Sequence, residues 1–133
     1  MTTGAAKRVF LDTNVLIYAT VAEAPFHEIA LQAIAAQTQA GAELWINRQV
    51  LREYLTVLTR TQIFANPIPI ATVIAAVRVF EQRFNVAEDN AEVTERLLAL
   101  LAQIPSGGKQ AHDAYIVATM QTHDIQQLLT DNA

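Results

Sequence analysis

The chain holds 133 residues, 52% of them apolar and 17% charged, a balance that supports one globular core and excludes a disordered chain. Its net charge is −4, all of it from residues 67–133, because the basic and acidic side chains of residues 1–66 cancel. That is not the basic footprint of a general nucleic-acid binder, so a nucleic-acid substrate would have to be met by local patches or bound cations. There is no cysteine, which excludes disulfides and thiolate metal sites. No apolar stretch reaches the roughly 18 residues of a membrane span. The N-terminal MTTGAAKRVF lacks a signal-peptide core. The expectation is a cytoplasmic protein with no membrane partner.

In chain order, KRVFLD at 7–12 reads as a short strand. Residues 13–20 read as a helix with Thr13 as its N-cap. Pro25 marks a turn, and Phe26, Ile29, Ala30, Ala33 and Ile34 repeat at helical spacing over 26–40, up to Gly41. ELWI at 43–46 is a second strand. Asn47 caps a helix over 48–63, with Val50, Leu51, Tyr54, Leu55, Val57 and Leu58 turned inward. NPIP at 66–69 is a turn, 70–83 a helix and 85–89 a third strand. A helix over 91–104 stops at Pro105, SGGK at 106–109 is a loop, 110–123 is a helix and 126–130 a last strand. Short apolar strands alternating with helices predict an α/β fold with a mostly parallel sheet covered on both faces.

In such a sheet, ligands bind beyond the carboxyl ends of the strands. Asp12 stands at one such end, and Asp131 and Asn132 at another. Glu53 shares a helical face with Val50, Tyr54 and Val57, and Asp113 one with Ile116, Val117 and Met120. Asp12, Glu53 and Asp113 are therefore directed inward or toward a core edge. Two carboxylates about 4 Å apart repel by roughly 4 kcal/mol at an effective dielectric near 20. Either one takes up a proton or a cation sits among them. With oxygen ligands alone that cation is hard, Mg2+ or Mn2+. Each acid also has a local explanation: Asp12 as a helix cap, Glu53 as a partner of Arg48 or Arg52, Asp113 as a brace for a helix start. Asp131 and Asn132 read locally as turn formers, His112 and His123 as surface or helix-end residues, and Trp45 and Tyr115 as core.

FLDTNVLIYA, then NRQVLREYLTVLTR, then GGKQAHDAYIVATMQTHDIQQLLTDN resemble the sequential motifs of PIN domains. More narrowly, they resemble VapC-type toxins of type II toxin–antitoxin pairs. The resemblance covers nearly the whole chain, and its most specific part is HDAYIVATMQTHDIQQLLT. It implies a three-layer α/β/α sandwich and a metal-dependent endoribonuclease inhibited by a cognate antitoxin, commonly a homodimer. Matched by motif, the three family acids fall on Asp12, Glu53 and Asp113, a neighbouring polar residue on Asn14, and a fourth ligand on Asn132, with Asp131 as its substitute. Arg48, Arg52 and Lys109 are candidate phosphate contacts. The family pattern continues through Asp-Phe and often a further strand, whereas this sequence stops at Ala133. The expectation is a single PIN-like domain over 1–133 without that last strand. Two rivals stand beside this reading: an aspartyl-phosphate phosphotransfer domain with Asp12 as nucleophile, and a PIN-like partner-binding module whose acids are structural.

Overall fold

A computed structural model describes residues 6–60, 67–103 and 108–130. Among them, β1 spans Arg8–Leu11, β2 Glu43–Ile46, β3 Asn85–Val86 and β4 Gln127–Leu129. The helices are α1 (Thr13–Thr20), α2 (His27–Gln39), α3 (Arg48–Leu58), α4 (Ile70–Arg83), α5 (Ala91–Gln103) and α6 (Gly108–Thr122). The strands form one sheet in the order β3-β2-β1-β4, and every pairing is parallel.

This order carries the functional geometry. The chain steps outward from β1 to β2 to β3, then returns to place β4 on the other side of β1. Parallel crossovers are right-handed as a rule, so a reversal of strand order places helices on both faces of the sheet, the expected α/β/α sandwich. Beyond the carboxyl ends of β1 and β4 the connections diverge, leaving the crevice where ligands bind in open α/β sheets.

Strand β1 is central, and Val9, Phe10 and Leu11 are buried on both faces. Each such side chain contributes about 1.5–3 kcal/mol of burial. Helix α3 is anchored by Tyr54, which is fully buried with its ring edge-on to Phe80, the centroids 5.1 Å apart. The Thr20 hydroxyl donates to the Leu16 carbonyl, so the Tyr54 hydroxyl is the donor in its 2.8 Å bond to Thr20 Oγ1. This contact ties α3 to α1. Gly41 takes a φ of 82°, the left-handed conformation that ends α2.

Several expected boundaries shift. Asp12, not Thr13, is the N-cap of α1, its carboxylate accepting from the Thr13 N–H. Helix α3 ends at Leu58, where the Thr59 N–H turns back onto the Leu55 and Val57 carbonyls; residues 61–63 of the expected helix lie outside the described residues. Strand β3 keeps two residues, because Asn90 already caps the next helix by accepting from the Val93 N–H. Helix α6 begins at Gly108, so Gly108 and Lys109 are helical rather than part of a loop. Residues 131–133, and with them the question of a missing last strand, lie outside the described residues. No helix among the described residues is long and apolar enough to cross a membrane.

Candidate active site

Asp12 is the first residue beyond β1. Its backbone N–H donates to the Leu129 carbonyl at the end of β4, and its Oδ2 accepts from the Thr130 hydroxyl at 3.2 Å. Its Oδ1 accepts from the Thr13 N–H at 2.8 Å. One carboxylate thus serves as helix cap and as a wall of the crevice. Glu53 comes from α3, which follows β2. Its Oε1 accepts from the Thr13 hydroxyl at 2.7 Å and its Oε2 from the Gln49 amide at 3.4 Å. Thr13 is buried and bonds both acids, which brings the end of β1 against the middle of α3.

Asp12, Thr13, Asn14, Glu53, Thr56, Val57, Arg60, His112 and Asp113 line one open cavity of about 450 Å³. The four residues Asp12, Asn14, Glu53 and Asp113, drawn from three motifs of the sequence, are thereby brought to one place. Asp113 differs from expectation in its burial: it is exposed, and so is Val117 on the same face, while α6 buries Ala114, Ile116, Ala118 and Thr119 instead. It stands on the ridge between this cavity and an apolar one that α6 forms with α5.

The basic residues are distributed differently from expectation. Arg48 does not line the cavity; its guanidinium grips both oxygens of Glu88 and, at 2.6 Å, Glu81. That grip holds the Glu88 carboxyl below its usual range and the Arg48 guanidinium above its own. Arg52 donates to Gln49, not to Glu53, and does not line the cavity either. Lys109 lies one turn before Asp113 in α6, and its side chain is outside the described set, as are Asp131 and Asn132. Arg60 and His112 line the cavity instead. Arg60 follows the end of α3, where a helix expected to run to 63 masked its position; His112 precedes Asp113 and was readable as a surface residue. Trp45 and Tyr115 are half-buried rather than core.

The donors around the two acids are neutral: a backbone N–H, two threonine hydroxyls and an amide. Among the described side chains no ion pair reaches Asp12, Glu53 or Asp113. Two carboxylates oriented but not neutralised, offering only oxygen, suit a hard divalent cation. No group of three or more acids or histidines among the described residues is close enough to hold a metal by itself. Mg2+ commonly takes only one or two carboxylates and keeps several waters, so the Asp12–Glu53 pair is a fitting donor set without a closed cage.

An α/β sandwich with an acid-lined crevice at the reversal of strand order is the class that these features define. The chain belongs to the PIN domain family, whose model matches residues 9–133. Among solved structures it is similar to the Mycobacterium tuberculosis toxin VapC20, described as cleaving the sarcin–ricin loop, at 21% identity and a TM-score of 0.70, over 93% of this chain and 91% of that one. It is also similar to a chain of a toxin–antitoxin complex from Klebsiella pneumoniae (22% identity, TM-score 0.65, 93% and 86% covered). A third likeness is to VapBC2 from Rickettsia felis bound to a promoter DNA fragment (17% identity, TM-score 0.63, 94% and 87% covered). At these identities the likeness is one of fold. No curated protein sequence matches the chain.

Proposed function

We propose that this PIN domain is a metal-dependent endoribonuclease that hydrolyses RNA phosphodiesters, the toxin of a toxin–antitoxin pair. The observation that carries the reading is the cavity at the carboxyl ends of β1 and β4, where Asp12 and Glu53 are held by neutral donors with Asp113 on the rim. The similar structures, a VapC toxin and two toxin–antitoxin complexes, supply the biological setting.

In this reading Asp12 and Glu53 hold Mg2+ or Mn2+, with Asp113 completing the acidic wall and Asn132 or Asp131 a further ligand. Bound there, the cation would supply positive charge at the phosphoryl group and favour deprotonation of water. The protein's own share is orientation. Thr13 and Thr130 fix the two carboxylates, so no reorganisation is needed when negative charge develops. A carboxylate left with a free lone pair accepts the proton of the attacking water. Arg60 and His112 meet the RNA backbone, and Asn14 on the exposed rim meets a base or sugar. Arg48 is engaged by Glu81 and Glu88 and Arg52 by Gln49, away from the cavity lining, so Arg60 and His112 are the better-placed basic residues; Lys109 remains a candidate. A cognate antitoxin and a second copy of the chain are the proposed protein partners.

The test is cleavage of total RNA in Mn2+ by wild type and by Asp12→Asn, Glu53→Gln and Asp113→Asn. Loss in all three supports the reading. Cleavage retained in Asp12→Asn refutes this site, and a wild type that cleaves nothing in Mn2+ favours the partner-binding module. A stable phosphoryl group trapped on Asp12 would favour phosphotransfer instead, although no described lysine side chain lines the cavity to steady it.

A further inference from the structure

We propose that Thr13 is the positioning residue that couples the two acids, setting their affinity for a divalent cation through its hydroxyl. This rests on the metal-site reading above and adds a residue to it. Thr13 is only 6% exposed, and it reaches both carboxylates by different atoms. Its N–H holds Asp12 Oδ1 at 2.8 Å, and its hydroxyl holds Glu53 Oε1 at 2.7 Å. A carboxylate can only accept, so the single hydroxyl proton is committed to Glu53.

The other side-chain bonds to the acids are longer: 3.2 Å from Thr130 to Asp12 and 3.4 Å from Gln49 to Glu53. Among the described side-chain bonds to the two acids the Thr13–Glu53 bond is therefore the shortest, and it spans the 40 residues between β1 and α3. Without it nothing among the described bonds joins the Glu53 carboxylate to the β1 end. Mutual repulsion would then turn Glu53 toward solvent, because its helix position leaves the side chain half-buried. A cationic residue in the place of Thr13 would hold the acids together but cancel the charge that attracts the metal. A hydroxyl orients them and leaves the charge intact.

Thr13→Val keeps the shape and the backbone N–H and removes only the hydroxyl donor. Thr13→Ser keeps the hydroxyl and removes the methyl. The experiment is calorimetric titration of the metal-free proteins with Mn2+, alongside the rise in melting temperature that Mn2+ produces. Loss of such a supporting bond typically weakens metal binding about ten- to a hundred-fold, which is the drop expected in Thr13→Val, with Thr13→Ser within about twofold of wild type. Thr13→Val matching wild type overturns the inference, as does Thr13→Ser falling as low as Thr13→Val. Should Thr13→Val not fold, Thr13→Ser decides alone: a tenfold loss there overturns it. Wild type that takes up no Mn2+ defeats the metal-site reading itself, whereas wild-type binding equalled by Thr13→Val defeats only the role of Thr13.

Discussion

The hydroxyl of Thr130 donates to Asp12 Oδ2 at 3.2 Å, joining residues 118 positions apart in the chain. The Asp12 N–H to Leu129 carbonyl bond runs beside it. The acid that opens α1 is therefore held by the end of β4, on the far side of the strand-order reversal. Thr130→Val keeps the side-chain volume and frees Oδ2. Steady-state cleavage should fall about ten-fold, in line with the loss of a supporting bond to a metal-binding carboxylate. The melt should shift by no more than about 1 kcal/mol in stability. A collapse of the fold would mark Thr130 as structural.

Asp12→Asn separates catalysis from folding. Asparagine caps helices as well as aspartate does, so α1 keeps its N-cap. Its Oδ1 accepts from the Thr13 N–H as before, and its amide faces the Thr130 oxygen. One of the two neighbouring charges is removed. Cleavage should disappear, while the metal-free protein melts at the same temperature or higher. A clear drop in melting temperature would mean that the carboxylate charge itself is structural.

Arg48 and Arg60 should behave oppositely. Arg48 is spent on Glu81 and Glu88, so Arg48→Met should leave cleavage within about twofold. Its signature is on the acid side of stability. The pair holds the Glu88 carboxyl below its ordinary value, so its contribution is present above that value and fades as pH falls through the folded one. In Arg48→Met that acid limb flattens. Arg60→Ala should raise KM about ten-fold and reduce the salt dependence of RNA binding by about one phosphate contact. Equal, small effects from both would remove Arg60 from the substrate path.

Tyr54 sets an alkaline limit. Burial pushes its phenol above the usual value near 10. The unfolded chain then loses that proton first, so the stability is whole below about pH 10 and is lost as pH rises through the folded value. Tyr54→Phe removes this slope and costs about 1 kcal/mol at neutral pH, the bond to Thr20 being lost. Denaturant melts at pH 7 and above 10 check both. Tyr115, also raised by burial, leaves a residual slope in the variant.

The α/β class, the order of elements and the convergence of Asp12, Glu53 and Asp113 were legible because they rest on local signals: apolar periodicity, the Asn47 cap, Gly41 and acids on half-apolar helical faces. Pairings were not legible. Nothing local links Arg48 to Glu81 and Glu88, which lie 33 and 40 positions away. Nor does anything local distinguish Thr13 as a cap from Thr13 as a donor to Glu53; that depends on how α3 docks on α1 through Tyr54 and Thr20. Asp113 was read as inward because spacing gives a face but not which helix covers it. Arg60 and His112 acquire meaning only from the cavity that α1, α3 and α6 enclose.

The most direct measurement is cleavage of total RNA by the purified wild-type chain in Mn2+, repeated after EDTA and again after Mn2+ is restored. The account predicts discrete fragments in Mn2+, none in EDTA, and their return on restoration. Fragments that persist undiminished in EDTA would contradict a metal-dependent nuclease at Asp12 and Glu53.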